Sequence, residues 1–486
     1  MKLSRIIKII SPVMVKNFSD VNIENLTYDS RNVTDKTLFF ALGGKRFDGH
    51  RFILDAIKKG ANSCVVEKDV EISTVPLIKV RNARETLAKI SSEFYGAPSK
   101  KLLVIGITGT NGKTTTSFLI KNILDTAGRK TGLIGTIGYF IADKRTNLPN
   151  TTPESLLLQK IMREMVDLGV EVCIMEVSSH GIKMERIKNI DFDIAILTNI
   201  SRDHLDFHRT LQNYVNTKLN FFKELKDDSV AIINLDDKKG VRFIKETPSK
   251  CLTYGMEEDA DIKGKITNID DEGMRLLIRY EDKSFEVSSP LRGRYNAYNV
   301  LSSFALAHIL GIEEEEIKNG ISSFHGVCGR GEKLETGLGF ACVIDYGHTP
   351  DALFNLFKSE KELTDGRLIC VFGAGGDRDK GKRQEMGKIA SSLCEIIILT
   401  SDNPRSEKPE SIIEDILKGV NAKKIAVELD RGKAIEESIN MAREGDTVII
   451  AGKGHERYQE IMGKRIPFSD KVIAESCIRK LKERKR

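Results

Sequence analysis

The 486-residue chain lacks several features that would each have placed it quickly. Its eight cysteines contain no C-x-x-C pair, so neither a zinc site nor a disulfide framework is indicated. They fit reduced, mostly buried thiols in a cytosol. No apolar run is long enough to span a bilayer. No basic block stands outside the last few residues, and the net charge of +6 is the small difference between 76 basic and 70 acidic residues. That excess suits anionic substrates but is too slight to argue for nucleic acid. Internal repeats and low-complexity segments are absent. The stretch 1–15 is apolar but broken by Arg5 and Lys8, and no small-residue cleavage site follows. A first helix, rather than a signal peptide, is expected there.

What is present is a mix of 30% charged and 40% hydrophobic residues, the balance of a globular protein with room for about three domains. The most informative stretch is Gly109-Thr110-Asn111-Gly112-Lys113-Thr114-Thr115-Thr116. It follows an apolar run over 102–107 and precedes a helical pattern over 117–127. Strand, glycine loop and helix are the setting of a phosphate-binding loop. Its backbone N–H groups would approach phosphate oxygens, Lys113 would reach the β- and γ-phosphates, and the Thr114 hydroxyl would face Mg2+. The full G-x4-G-K-[ST] pattern is not met, because position 107 is Ile; the loop is a shortened variant. The competing reading is a Gly-Thr-rich turn that binds nothing.

A first unit spans 1–97, with strands over 38–42 and 63–66 and a helix over 52–59. Two polar segments, Tyr28-Asp29-Ser30-Arg31 and 43–50, flank its first strand and form either a binding edge or ordinary turns. A second unit spans 98–330. Its strands over 170–175, 194–197 and 230–233 each end in polar residues, Glu176, His204 and Asp236 among them. That alternation predicts a mostly parallel sheet, with a small antiparallel patch over 251–291 and a helix over 296–310. A third unit spans 331–486, and its strands over 342–344, 368–372, 396–399 and 448–450 hand over to polar or glycine-rich loops. His204 and His208 have the spacing of a zinc helix, but the Glu that a zincin uses as base is missing.

Taken together, Gly-Thr-Asn-Gly-Lys-Thr-Thr, Glu-Val-Ser-Ser-His-Gly, Ser-Arg-Asp-His-Leu-Asp-Phe-His and Asp-Tyr-Gly-His-Thr-Pro-Asp-Ala-Leu resemble the Mur ligases of peptidoglycan synthesis, in order and over essentially the whole chain. The resemblance implies three α/β domains: an N-terminal UDP-binding domain, a central P-loop ATPase-like parallel-sheet domain and a C-terminal Rossmann-like domain. It implies ATP held by Gly109, Thr110, Asn111, Gly112, Lys113, Thr114 and Thr115, with Asn299 and Arg330 nearby. Mg2+ would be held by Thr114, Glu176, His204 and Lys218, the last as a CO2-derived carbamate. Lys113, Lys218, His204 and Glu176 would form the catalytic set. Tyr28, Ser30, Lys45, Arg46, Phe47, Asn150, Thr151, Thr152, Ser178 and Arg186 fall where the family holds the UDP-muramoyl dipeptide. Met184 stands where some relatives have Gln, and Gly331 where Met often follows the Arg. Asp402-Asn403-Pro404-Arg405 matches the motif for meso-diaminopimelate, in which Arg405 grips the distal carboxylate; Arg378, Gly452 and Glu456 match the remaining contacts. His348 and Asp351 are expected to position or deprotonate the incoming amine.

The expected activity is ATP-dependent addition of meso-diaminopimelate to UDP-MurNAc-L-Ala-D-Glu through an acyl phosphate, by a cytoplasmic monomer with no nucleic acid partner and no membrane insertion. The rival readings are the same ligase using L-lysine or another diamino acid, a folylpolyglutamate synthetase-like ligase, and an ATP-binding switch or scaffold that ligates nothing.

Overall fold

A computed structural model describes residues 1–44, 48–421 and 424–485. The chain divides into two compact units, one made of Met1–Gly106, Lys130–Ala195 and Glu224–Ser229, the other of Ile107–Arg129, Ile196–Lys223 and Val230–Arg486.

The first unit holds a five-stranded sheet in the order Met14–Lys16, Leu77–Lys79, Ala61–Val66, Thr37–Phe40, Asn25–Thr27. Met14–Lys16 is antiparallel to its neighbour and the other pairs are parallel. Alternation sorts its side chains. Leu38 and Phe40 face a core shared with helices Leu3–Ile10 and Ala83–Phe94, while Phe39 and Ala41 face a second core with helix Ile53–Lys58. Full burial of each Leu or Phe side chain there stabilises by about 1.5–3 kcal/mol. The expected N-terminal helix is therefore real but stops at Ile10, where Ser11 turns left-handed at φ 47°, and the chain re-enters as a strand. Asn82 starts helix Ala83–Phe94 by accepting from the N–H groups of Arg84 and Glu85 at 3.0 and 3.1 Å. Later in this unit Val172–Glu176 runs parallel to Thr131–Gly135, and Gly138–Ile141 and Lys144–Thr146 add antiparallel strands.

In the second unit, Val230–Asn234 pairs in parallel with Lys250–Gly255 and that strand in parallel with Ile262–Asp270, which Gly273–Tyr280 and Lys283–Ser289 follow in antiparallel order. The anticipated antiparallel patch is thus a three-stranded meander. A six-stranded sheet runs Glu332–Leu334, Ala341–Asp345, Thr447–Ala451, Leu368–Phe372, Ile396–Leu399, Ile425–Val427. All of its pairs except the first are parallel. The loops after Asp345, Phe372, Leu399 and Ala451 consequently leave from one edge, the place where open α/β sheets bind ligands. Apolar clusters fill both faces of this sheet.

All eight cysteines are free, and six are buried. Among the described residues no helix is long and apolar enough to cross a membrane.

Candidate active site

Strand Leu103–Thr108 runs into the glycine loop, and helix Lys113–Thr126 leaves it. The helix begins four residues earlier than its apolar pattern, because Gly112 at φ 85° makes the turn and Lys113-Thr114-Thr115-Thr116 form the first turn. A Cβ on Gly112 would stand 2.6 Å from Asn299 Oδ1, and one on Gly109 would collide with the Thr198 hydroxyl. Both positions need glycine for approach as well as conformation. Asn299 accepts from Thr116 Oγ1 at 3.0 Å and donates to Asn296 Oδ1 at 2.7 Å, which fixes its amide. Thr110 Oγ1 donates to the Ser201 carbonyl at 3.2 Å and meets Tyr214 Oη at 3.0 Å. Lys113 Nζ donates to the carbonyls of Gly109 and Thr110 at 2.8 and 2.9 Å, so its ammonium lies over the loop that would cradle phosphate. Thr115 is buried. Arg330 reaches the loop too: Nη2 donates to Thr114 Oγ1 at 3.2 Å, and the guanidinium stacks 4.2 Å from the Tyr346 ring centroid.

Lys218 sits on helix Leu211–Lys223 and is 1% exposed. Its Nζ donates to Thr108 Oγ1 at 3.1 Å and to the Gly109 carbonyl at 2.8 Å, directly under the phosphate loop. Burial, with the charge of Lys113 beside it, pushes its pKa well below the usual lysine value against the pull of Asp203. His204, left-handed at φ 53°, caps the short helix Leu205–His208; its Nε2 lies 3.2 Å from Asp203 Oδ2. Asp203 is buried, which opposes its ionisation, but the charges of His204, Lys382 and His348 hold its carboxyl below the ordinary range. His208 is buried against Phe207 and Tyr214. Among the described residues no group of three or more His, Cys, Asp or Glu side chains is gathered for a metal ion.

The third-domain loops meet the phosphate loop within the same unit. Asn111 Nδ2 donates to Asp351 Oδ2 at 2.7 Å, and Arg202 pairs with Asp379 through two bonds of 2.9 and 3.1 Å. Burial raises the Asp351 pKa. His348 Nδ1 bonds the Tyr346 carbonyl at 2.9 Å, so Nε2 is the ring atom left to accept a proton. Burial, then the neighbouring Lys382 charge, lowers its pKa.

Arg405, at φ 52°, donates from Nη1 to the Gly376 carbonyl at 2.7 Å and lies 3.3 Å from Glu460. The backbone of Gly376 bonds the Asn403 carbonyl at 2.9 Å, and a Cβ on Gly376 would collide with the Pro404 carbonyl. The loop of residues 373–376 and the Asp402–Arg405 loop are therefore laid edge to edge. Arg378 is bonded to the Asp377 carbonyl at 3.3 Å. Gly452, at φ 113°, brings the last loop to within 3.3 Å of Asp402, measured from the position of an added Cβ. Asn403 Nδ2 donates to Glu456 Oε2 at 2.9 Å. Arg383, fully buried, ties these loops from behind: it bonds Glu407 twice, at 2.8 and 3.0 Å, Asp415 at 3.1 Å and the Gly375 carbonyl at 3.2 Å.

In the first unit, Thr152 Oγ1 donates to the Glu176 carbonyl at 2.9 Å and accepts from Ser178 N–H at 3.0 Å. Arg186 Nη1 donates to the Thr152 carbonyl at 3.0 Å and Nε to Glu154 at 3.0 Å. Glu154 also takes Arg84 through both oxygens at 3.0 Å, and its charge, after burial, raises the Tyr28 pKa. Thr151, Thr152, Ser178 and Arg186 are thus linked through Glu176 and its neighbours, with Thr136 Oγ1 lying 3.1 Å from Thr151 Oγ1 and 2.9 Å from Glu176 Oε2. Glu176 is fully buried against Gly135, where any Cβ would strike its carboxylate. Ser30 opens the short turn Ser30–Asn32, which Asp29 caps, and Asn150 is exposed. Lys45, Arg46 and Phe47 lie outside the described residues. Sequence reasoning missed Glu154, Lys382, Arg383 and Lys453. Each is a charged residue placed by folding among partners distant in sequence, and composition does not separate it from a surface charge.

Three family profiles match this chain: "Mur ligase family, catalytic domain" over residues 22–95, "Mur ligase middle domain" over 107–307 and "Mur ligase, glutamate ligase domain" over 329–454. The chain belongs to the Mur ligase family and is an ATP-dependent ligase of peptidoglycan synthesis with that family's three-domain α/β architecture. Within the family its relatives point to one member. A Clostridium tetani protein, 41% identical over 99% of this chain and 100% of its own length, is named UDP-N-acetylmuramoyl-L-alanyl-D-glutamate--2,6-diaminopimelate ligase. An Aquifex aeolicus protein of the same name is 45% identical over 94% of each chain. A solved structure of a ligase with this name superposes with a TM-score of 0.67 at 32% identity, covering 95% of each chain. The Thermotoga maritima MurF ligase in complex with ADP, at 22% identity and TM-score 0.68, shares the fold.

Proposed function

We propose that this ligase joins meso-diaminopimelate to the D-Glu carboxylate of UDP-MurNAc-L-Ala-D-Glu, in the cytoplasm and as a monomer. The supporting observation is the packing of Arg405 against the loop of residues 373–376, in the same unit as the phosphate loop. There an arginine can take a carboxylate with two parallel bonds. A side chain ending in an amine alone would leave that guanidinium without a ligand partner, which favours diaminopimelate over L-lysine.

The roles we propose are those the family resemblance implies, and the geometry around the Gly109–Thr116 loop supports them. Gly109 to Thr115, with Asn299 and Arg330, hold ATP. Lys113 moves from its loop carbonyls to the β- and γ-phosphates. The donors proposed for Mg2+ are chiefly hard oxygens (the Thr114 hydroxyl, the Glu176 carboxylate and a carbamate on Lys218), joined by His204, and they fit that ion, which also takes phosphate oxygens and water. When bound, Mg2+ offsets charge on the transferring phosphoryl group. Buried Lys218 suits carbamylation, because CO2 addition converts a buried amine into an oxygen donor. Tyr28, Ser30, Lys45, Arg46, Phe47, Asn150, Thr151, Thr152, Ser178 and Arg186 hold the UDP-muramoyl dipeptide. Its D-Glu carboxylate attacks the γ-phosphate of ATP, giving an acyl phosphate and ADP. The diaminopimelate amine then attacks the acyl carbon, phosphate leaves, and the amine proton passes to a base such as His348 through Nε2. Arg378, Asp402, Asn403, Pro404, Arg405, Gly452 and Glu456 hold the amino acid.

The test is phosphate release with ATP, the dipeptide nucleotide and one amino acid at a time. Diaminopimelate should support turnover far better than L-lysine. Preference for L-lysine would overturn the Arg405 argument. ATP binding without amino-acid-dependent phosphate release would overturn ligation.

A further inference from the structure

Lys453 lies between two glycines that turn the chain sharply, Gly452 at φ 113° and Gly454 at φ 51°. Their turns direct its side chain inward, and Lys453 is fully buried. Its Nζ donates to Asn403 Oδ1 at 3.0 Å and to Glu456 Oε2 at 2.9 Å, and it stands 3.6 Å from Asp402 Oδ1 and 5.7 Å from the Tyr458 ring centroid. All three polar partners are residues assigned above to the amino acid.

Two consequences follow. Asn403 Oδ1 receives Lys453 and the Glu460 N–H, the latter at 2.9 Å, so the amide cannot flip and Nδ2 must point at Glu456. Both bonds to Glu456 fall on Oε2, which leaves Oε1 to meet a ligand. Asp402 and Glu456 bring two negative charges and Lys453 cancels one; the other cations facing Asp402 (Arg405 and Arg431) are paired with Glu460 and Asp470, so the group keeps a single negative charge. That balance fits a ligand with one ammonium at its distal carbon and a carboxylate taken elsewhere.

We infer that Lys453 is the positioning residue of amino-acid recognition: it orients Asn403 and Glu456 and sets the charge of the pocket without touching the reacting atoms. This rests on the ligase reading above. The full-length enzyme is assayed as wild type, Lys453→Met and Lys453→Gln, with melting temperature and ADP affinity measured on each. Loss of a buried charged hydrogen-bond donor is expected to raise KM for diaminopimelate about 10- to 100-fold in Lys453→Met. The KM values for ATP and the dipeptide nucleotide should stay near wild type. Lys453→Gln keeps a donor of similar length and should fall between the two; it carries the test if Lys453→Met does not fold. The ratio of kcat/KM for diaminopimelate over L-lysine should fall in both variants, because the unneutralised carboxylates favour a ligand of higher positive charge. A purely structural role would lower the melting temperature and leave that ratio unchanged. A folded variant with wild-type KM for the amino acid, or an equal rise in every KM, overturns the inference. Wild-type enzyme that fails to turn over with any diamino acid overturns the ligase reading instead.

Discussion

Replacing Arg383 by Met tests how the loops around Gly375 and Glu407 are held. The substitution keeps an apolar stem and removes four hydrogen bonds, two to Glu407, one to Asp415 and one to the Gly375 carbonyl. Arg383 is the largest influence on the Glu407 carboxyl, which it holds at about 2 against an ordinary 4.5, helped by the Asp377 N–H and Lys380. A depression of that size corresponds to about 3 kcal/mol at one carboxylate. Removing one partner of a buried ion pair leaves the other uncompensated, so a loss of about 2–4 kcal/mol is expected at neutral pH. For a domain of this size that lowers the first melting transition by roughly 5–12 °C. The pH dependence carries the mechanism. The folded pKa of Glu407 is depressed, so its stabilisation is fully present above the unfolded value of 4.5 and is lost as pH falls towards about 2. The variant has less of it to lose. The gap in unfolding free energy, read from urea titrations of wild type and variant, should therefore narrow by at most about 0.8 kcal/mol between pH 7 and pH 4. A variant that melts within about 2 °C of wild type, or a gap that widens as pH falls, would refute the reasoning.

Three further outcomes are expected. Gly112→Ala forces a left-handed Cβ to within 2.6 Å of Asn299 Oδ1, and ADP titration calorimetry should show binding weakened at least about tenfold. Arg405→Lys should raise KM for diaminopimelate about 10-fold or more, since one ammonium cannot make two parallel bonds, while turnover with L-lysine stays as it was. Asp470→Ala leaves the fully buried Arg431, which it binds at 2.7 and 2.8 Å, without its counter-charge; denaturant unfolding should report a loss of about 3–5 kcal/mol.

Much of the fold was legible because its strands are short apolar runs closed by polar loops. The strands Ile194–Leu197, Leu368–Phe372 and Ile396–Leu399 have the bounds that the pattern predicts. Thr131–Gly135 escaped notice because two of its five residues are glycines, kept small by Met165 and Glu176 packed upon them. The start of helix Lys113–Thr126 was hidden because three threonines carry no helical periodicity. Gly109, Gly112 and Lys113 announced themselves through spacing. Lys218 did not: only the resemblance singled it out, and its burial under the loop is a tertiary fact. Arg383 and Lys453 were invisible for the same reason, since a buried cation and a solvated one are spelled alike.

Asn111–Asp351, Arg202–Asp379 and Arg330–Thr114 are polar contacts that stitch residues of 111–114 and 202 to segments beyond 329. Such fastenings behave differently from an oily contact. Each partner regains hydration when parted, so separation is cheap and leaves nothing sticky behind. A catalyst that must admit three substrates and shed three products each cycle gains from a seam that water can unpick and remake, and added salt should loosen it.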